Sequence, residues 1–266
     1  MRSSLDKLYA ILRRDFLTAI RHRTSFALTL AGLIVQLAAF YFLSRSIGPA
    51  FRPSGVEYFP FLLVGTGLYT FFVMSTQAFL SAVQEAQQTG TMEVLMTTTT
   101  APTTLVILSS VSAFAGNMVN LAVYLFAGVA IFRAPLHANV PACLAVTILS
   151  VAIAAAFGIA AATLQVTFQK GSALVWLLGS GLWLLSGAMF PVESLPRPLA
   201  ILARATPFMY AVDAMRMALL RGETLLRIAP SLAALLAFSL VLLPLSLGAL
   251  SFSVRRARRN GTLSFY

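Results

Sequence analysis

Side chains able to carry acid–base, metal or nucleophilic chemistry are scarce in this 266-residue chain and stand apart from one another. Its two histidines, His22 and His137, fall at the edges of long apolar runs, and no run holds a His or carboxylate pair for metal binding or proton transfer. The single cysteine, Cys143, excludes an internal disulfide and a multi-cysteine metal site. A phosphate-binding loop needs Gly-x-x-x-x-Gly-Lys followed by Ser or Thr, and the only lysines, Lys7 and Lys170, lack those glycines. None of the eight acidic residues lies inside an apolar run, which removes the groups that ion-coupled transport favours. A hydrolase working inside a membrane would likewise lack its residues. What the runs do hold is amides: Gln36, Gln77, Asn117, Asn120 and Gln165. Asn117 and Asn120 share one helix face, and two readings stay open for them. They either make interhelical hydrogen bonds, worth roughly 0.6–2 kcal/mol each, or line a polar substrate path.

The elements that must position these groups are set by charge. Six windows of more than twenty residues carry no Asp, Glu, Lys or Arg: Thr24 to Ser44, Tyr58 to Gln84, Val94 to Phe132, Ala134 to Gln169, Gly171 to Val192 and Ile228 to Val254. A helix rising ~1.5 Å per residue needs roughly 20 apolar residues to cross a hydrocarbon core of ~30 Å. Each window meets that length, which predicts an all-α membrane protein of six transmembrane helices, forming one membrane domain over residues 1–266. Hydrophobic residues make up 59% of the chain, leaving no room for a sizeable soluble domain. The net charge of +11 resides mostly at helix ends, so anionic lipid, not nucleic acid, is the expected partner. Ten of the aromatic residues fall between Phe40 and Phe72, and an interfacial aromatic belt is the favoured reading over a sugar-stacking surface. Ala154, Gly158 and Ala162, spaced by four, read as a close helix-packing face.

Orientation comes from Lys and Arg. Six basic residues lie in the first 23 positions and four more at Arg255, Arg256, Arg258 and Arg259, which predicts that both termini are cytoplasmic. The N-terminal charges reach Arg23 and precede a run too long for a signal peptide, so an uncleaved first span is expected. Within residues 4–23, Leu5, Leu8, Leu12, Phe16, Ala19 and Ile20 make one apolar stripe opposite Lys7, Arg14 and Arg21. An amphipathic interfacial helix is predicted there.

Two regions depart from simple spans. The segment Gln84 to Pro102 is expected to be a cytoplasmic connection with a short helix of its own. Gly90 would break it, Thr91 would cap the piece beyond, Glu93 would occupy a first turn, and Pro102 would open the next helix. Pro191, Pro196, Pro198 and Pro207 forbid a continuous helix over residues 191–222. Two short helical pieces, Leu199 to Ala205 and Phe208 to Arg221, are expected to form an external re-entrant hairpin, with Asp213 and Arg216 placed to pair at i,i+3.

These two regions carry a resemblance. Glu85 followed by Gly90-Thr91-Met92-Glu93-Val94-Leu95 and Pro102, and then Ser186-Gly187-Ala188-Met189-Phe190-Pro191-Val192, Leu195-Pro196, Pro207 and Tyr210 to Arg216, resemble the membrane subunit of a type-2 ATP-binding cassette (ABC) exporter. The run Thr97 to Thr100 departs from the small and apolar residues usual there and blurs the end of the loop helix. The resemblance implies a non-catalytic permease in a bacterial plasma or inner membrane, pairing with a second permease copy. A separate ATPase subunit would hold ATP and Mg, with no cofactor on this chain. Glu85, Gly90, Thr91 and Glu93 would then couple to that ATPase, Pro191, Pro207, Asp213 and Arg216 would form an external gate, and the cargo would be amphiphilic: a drug, lipid or glycolipid/polysaccharide. The alternative is an ATP-independent channel or lipid-scrambling protein.

Overall fold

A computed structural model describes residues 23–88 and 102–260, all helices, turns and coil with no strand among them. The interfacial helix expected over residues 4–23 therefore lies, but for Arg23, outside the described residues. Helix α1 runs Arg23–Ile47, α2 Tyr58–Gln88, α3 Pro102–Phe132 and α4 Val140–Phe168. The fifth element is broken into α5 (Gly171–Trp176), a π turn (Leu177–Gly181) and α6 (Leu182–Leu185). Two short helices, α7 (Arg197–Arg204) and α8 (Pro207–Leu220), precede the last long one, α9 (Ala229–Asn260).

Helix boundaries obey local chemistry. Pro102 opens α3 as expected, and Pro207 sits at the start of α8, where its missing N–H leaves nothing unsatisfied. Asn139 caps α4 by accepting a hydrogen bond from the Ala142 amide at 3.2 Å, and Gln169 closes the same helix in the left-handed conformation. The short pieces read from the prolines are present as α7 and α8, displaced by a residue or two.

Among the described residues, five helices are long and apolar enough to cross a membrane. The fifth window, Gly171 to Val192, behaves differently. Only Gly171 to Leu185 is helical, roughly 22 Å at ~1.5 Å per residue, short of a full crossing. The cause is backbone, not polarity. Gly179 and Gly181 fall in the π turn, and Gly187 at φ 71° ends the run before Pro191. An uncharged window does not register such breaks.

Packing ranks the helices. In the apolar span of α2, 83% of the residues are buried, against 44% in α4, 17% in α3 and α9, and 6% in α1. Helix α2 is therefore the axis, packed by α3, α4 and α8, while α9 lies along α4. Its core joins Leu68, Phe72, Ile153, Phe208 and Val212, with the Phe208 ring 5.1 Å from Phe72 and 4.9 Å from Phe157. The aromatic belt is thereby corrected in part. Tyr58, Phe59, Phe61, Tyr69, Phe71 and Phe72 are buried because α2 is central, whereas Phe42 and Phe51 stay exposed as belt residues would. The small-residue face is as read: Ala154, Gly158 and Ala162 are buried, and a Cβ on Gly158 would lie 2.3 Å from the Phe79 ring of α2.

Candidate functional site

The most polar buried group belongs to α8. Pro191 and Gly187 turn the chain after α6, and the Ser186 hydroxyl, which accepts from the Ala188 amide at 3.2 Å, holds that turn. The carbonyls of Gly187 and Ala188 consequently point into the bundle. Arg216, 7% exposed, donates to them from Nη1 at 2.8 Å and Nη2 at 2.7 Å. Its Nε and Nη2 also donate to the Phe61 carbonyl of α2 at 3.2 and 3.1 Å, and the guanidinium lies 3.4 Å from the Phe61 ring centroid. One side chain thus fastens α8, the Gly187 turn and α2 together.

The expected Asp213–Arg216 ion pair is not formed. Among the described residues the guanidinium spends its donors on main-chain carbonyls, which match its planar fork at three separated positions. Asp213 acts at longer range. Burial pushes the Arg216 pKa down to about 9, while Asp213 and Glu193 raise it, so the cation persists at pH 7. Asp213 keeps an exposed edge, yet desolvation by the packed bundle beneath it raises its carboxyl above the ordinary range, and Arg216 opposes that shift. Room for the guanidinium comes from Gly65, where an added Cβ would sit 2.2 Å from Nη2 and 2.4 Å from the Ala188 oxygen. The end of α8 is tied down as well. His137 and Asn139 amides donate to the Leu219 and Ala218 carbonyls, each at 2.9 Å, and Arg221 Nη2 donates to the Ser54 carbonyl.

A second arrangement lies between α1, α2 and α3. Asn117 and Asn120 are brought together with Gln36, Thr29 and Thr70 around a cavity of about 270 Å³ that the buried Tyr124 also lines. Tyr124 is held by Thr66, 2.9 Å between hydroxyls. Asn120, Gln36 and Thr70 are exposed, and the amides of Asn117, Asn120 and Gln36 have no hydrogen-bond partner among the described residues. By contrast, buried Gln165 does what interhelical bonding predicts, donating to Gln87 Oε1 of α2 and accepting from the Gly171 amide, each at 3.1 Å. Gln77 bonds within its own helix, to Ser81 at 3.1 Å. The Gln87–Gln165–Gly171 tie closes the end of the bundle at Lys170, with Gln87 on the last turn of α2 just beyond Glu85.

The family model described as ABC-2 type transporter matches residues 6–220, a span that takes in both the α2 axis and the Arg216 lock. The chain belongs to the ABC-2 type transporter family. No curated protein matches it. This ABC-2 transporter is accordingly a multi-pass membrane permease with a transport role.

Of the residues the sequence singles out in this permease, Pro191, Pro207, Asp213 and Arg216 share one end of the bundle, and Asn117 and Asn120 share the groove. Glu85 is exposed at the opposite end. Gly90, Thr91 and Glu93 lie outside the described residues. Sequence reasoning missed Gly65, Phe61 and Gln87. Only Gly65 left a trace, as the first glycine of Gly65-Thr66-Gly67 inside an otherwise bulky aromatic helix.

Proposed function

We propose that this permease is the membrane subunit of an ATP-driven exporter, with two copies, or one copy and a related partner, flanking the path of an amphiphilic substrate. A separate ABC ATPase carrying ATP and Mg powers it, and the chain itself catalyses nothing. The observation that carries the path is the α1–α3 groove. Amides without partners at hydrocarbon depth are costly, and a second subunit or a polar cargo group relieves that cost. In this reading, segment 84–102 receives the motor's force. The Gln87–Gln165–Gly171 tie passes it to α4 and α5, and the broken α5–α6 element, continued by the non-helical residues 186–191, makes the sixth crossing before the α7–α8 hairpin on the outer side. The chain sits in a bacterial plasma or inner membrane with both termini cytoplasmic, and Arg216 holds the outer hairpin as a gate. Affinity purification from native membranes tests the reading. An ABC ATPase is expected to accompany the chain. Lipid movement by the purified chain in vesicles without ATP, and with no ATPase bound, would instead support the scramblase alternative.

A further inference from the structure

At the α8 end, a cavity of about 390 Å³ opens where three spans meet their limits: α1 ends at Ile47, α2 begins at Tyr58 and α3 ends at Phe132. That position is head-group depth for any orientation of the bundle, since the apolar stretches of all three helices stop there. Three arginines line it, Arg45, Arg52 and Arg133, against one carboxylate, Glu57. The Tyr41 hydroxyl accepts from Arg45 Nε at 3.3 Å and Nη2 at 3.0 Å, leaving Nη1 open. Among the described residues, the Arg52 and Arg133 side chains have no hydrogen-bond or ion-pair partner. Arg133, at φ 54°, is the left-handed residue that closes α3, its amide donating to the Val129 carbonyl at 3.0 Å. The first turn of the 31-residue α2 also faces the cavity, adding the positive end of a long helix dipole. The three arginines are exposed, so water screens much of their repulsion, and what they offer is planar guanidinium forks that match phosphate oxygens in pairs.

We propose that this cavity binds a phosphate group, carried by an anionic lipid head or by a soluble phosphate. The proposal rests on the membrane insertion of the family and on neither the ATPase nor transport. The test uses the full chain purified in detergent, with lipid retention read by native mass spectrometry. Phosphatidylglycerol and phosphatidylcholine are compared, and inorganic phosphate serves as competitor. The site variant is Arg52→Gln with Arg133→Asn, the second chosen because Asn accepts positive φ. The control, Arg197→Gln with Arg204→Gln, removes the same charge from exposed α7. Phosphatidylglycerol is expected to bind in preference to phosphatidylcholine, and the site variant to bind it at least about tenfold more weakly while the control holds. Competition by inorganic phosphate would assign the site to the phosphate alone; its absence would assign it to the lipid. If the double variant fails to fold, Arg52→Gln, which removes no contact, carries the same comparison. Retention by the site variant equal to that of the control overturns the proposal, whatever drives the transporter.

Discussion

The four hydrogen bonds of Arg216 end on carbonyls of Phe61, Gly187 and Ala188, acceptors that no substitution of a neighbouring side chain removes. Shape therefore matters there as much as charge. An ammonium offers its donors from one point and cannot reach the Phe61 carbonyl and the Gly187 turn together. Arg216→Lys is expected to cost about 3 kcal/mol, given that bonds from charged groups contribute roughly 1.5–3 kcal/mol each. Asp213→Ala, which breaks no contact, should cost about 1 kcal/mol or less. Arg227→Ala should be nearly neutral, because its 3.8 Å pair with Glu223 is exposed. Thermal unfolding in detergent ranks the three, and equal losses at Asp213 and Arg216 would return the lock to an ion pair. Gly65→Ala is a second residue-scale test. Its Cβ would strike the Ala188 backbone, so a loss of about 1–3 kcal/mol is expected, while Gly32→Ala, with nothing within 4 Å, should change little.

The exposed groove makes its own prediction among the elements. Replacing Asn117 and Asn120 together by Leu removes amides that bond nothing among the described residues, so the folded bundle should keep its stability to within about 0.5 kcal/mol. Export, or pairing of two copies, should fall. A large loss of stability with transport intact would mean that the amides hold helices together. Orientation of the elements is checked by labelling Cys introduced at Arg52 and at Lys170 in a Cys143→Ser background. Reagent applied outside should modify the first and spare the second. Much at this scale was legible in sequence. Charge-free windows located α1 to α4 and α9, Pro102 opened a helix where expected, and four prolines marked the α7–α8 irregularity, although Pro207, read as a break, in fact begins α8. The length of the fifth element was not, because glycines in an apolar run can sit in a helix or break it, and packing decides. Nor was the partner of Arg216. Spacing along α8 placed Asp213 nearby, but carbonyls from residues 28 and 155 positions away leave no mark on the chain.

Taken as one body, the permease hangs on α2, which meets the Arg216 lock near one end and Gln87 at the other. A pull on the segment beyond Gln88 is thus delivered to the most buried helix of the bundle. The central claim is that a separate ATPase applies that pull through segment 84–102, in which Glu93 supplies one of the two acidic charges. ATP hydrolysis by the complex purified from native membranes, compared between the natural chain and Glu93→Arg, tests it most directly. The natural chain should retain the ATPase and stimulate it, and Glu93→Arg should lose both while melting at the same temperature. Hydrolysis and retention unchanged by Glu93→Arg, or a natural chain that carries no ATPase at all, would contradict the account.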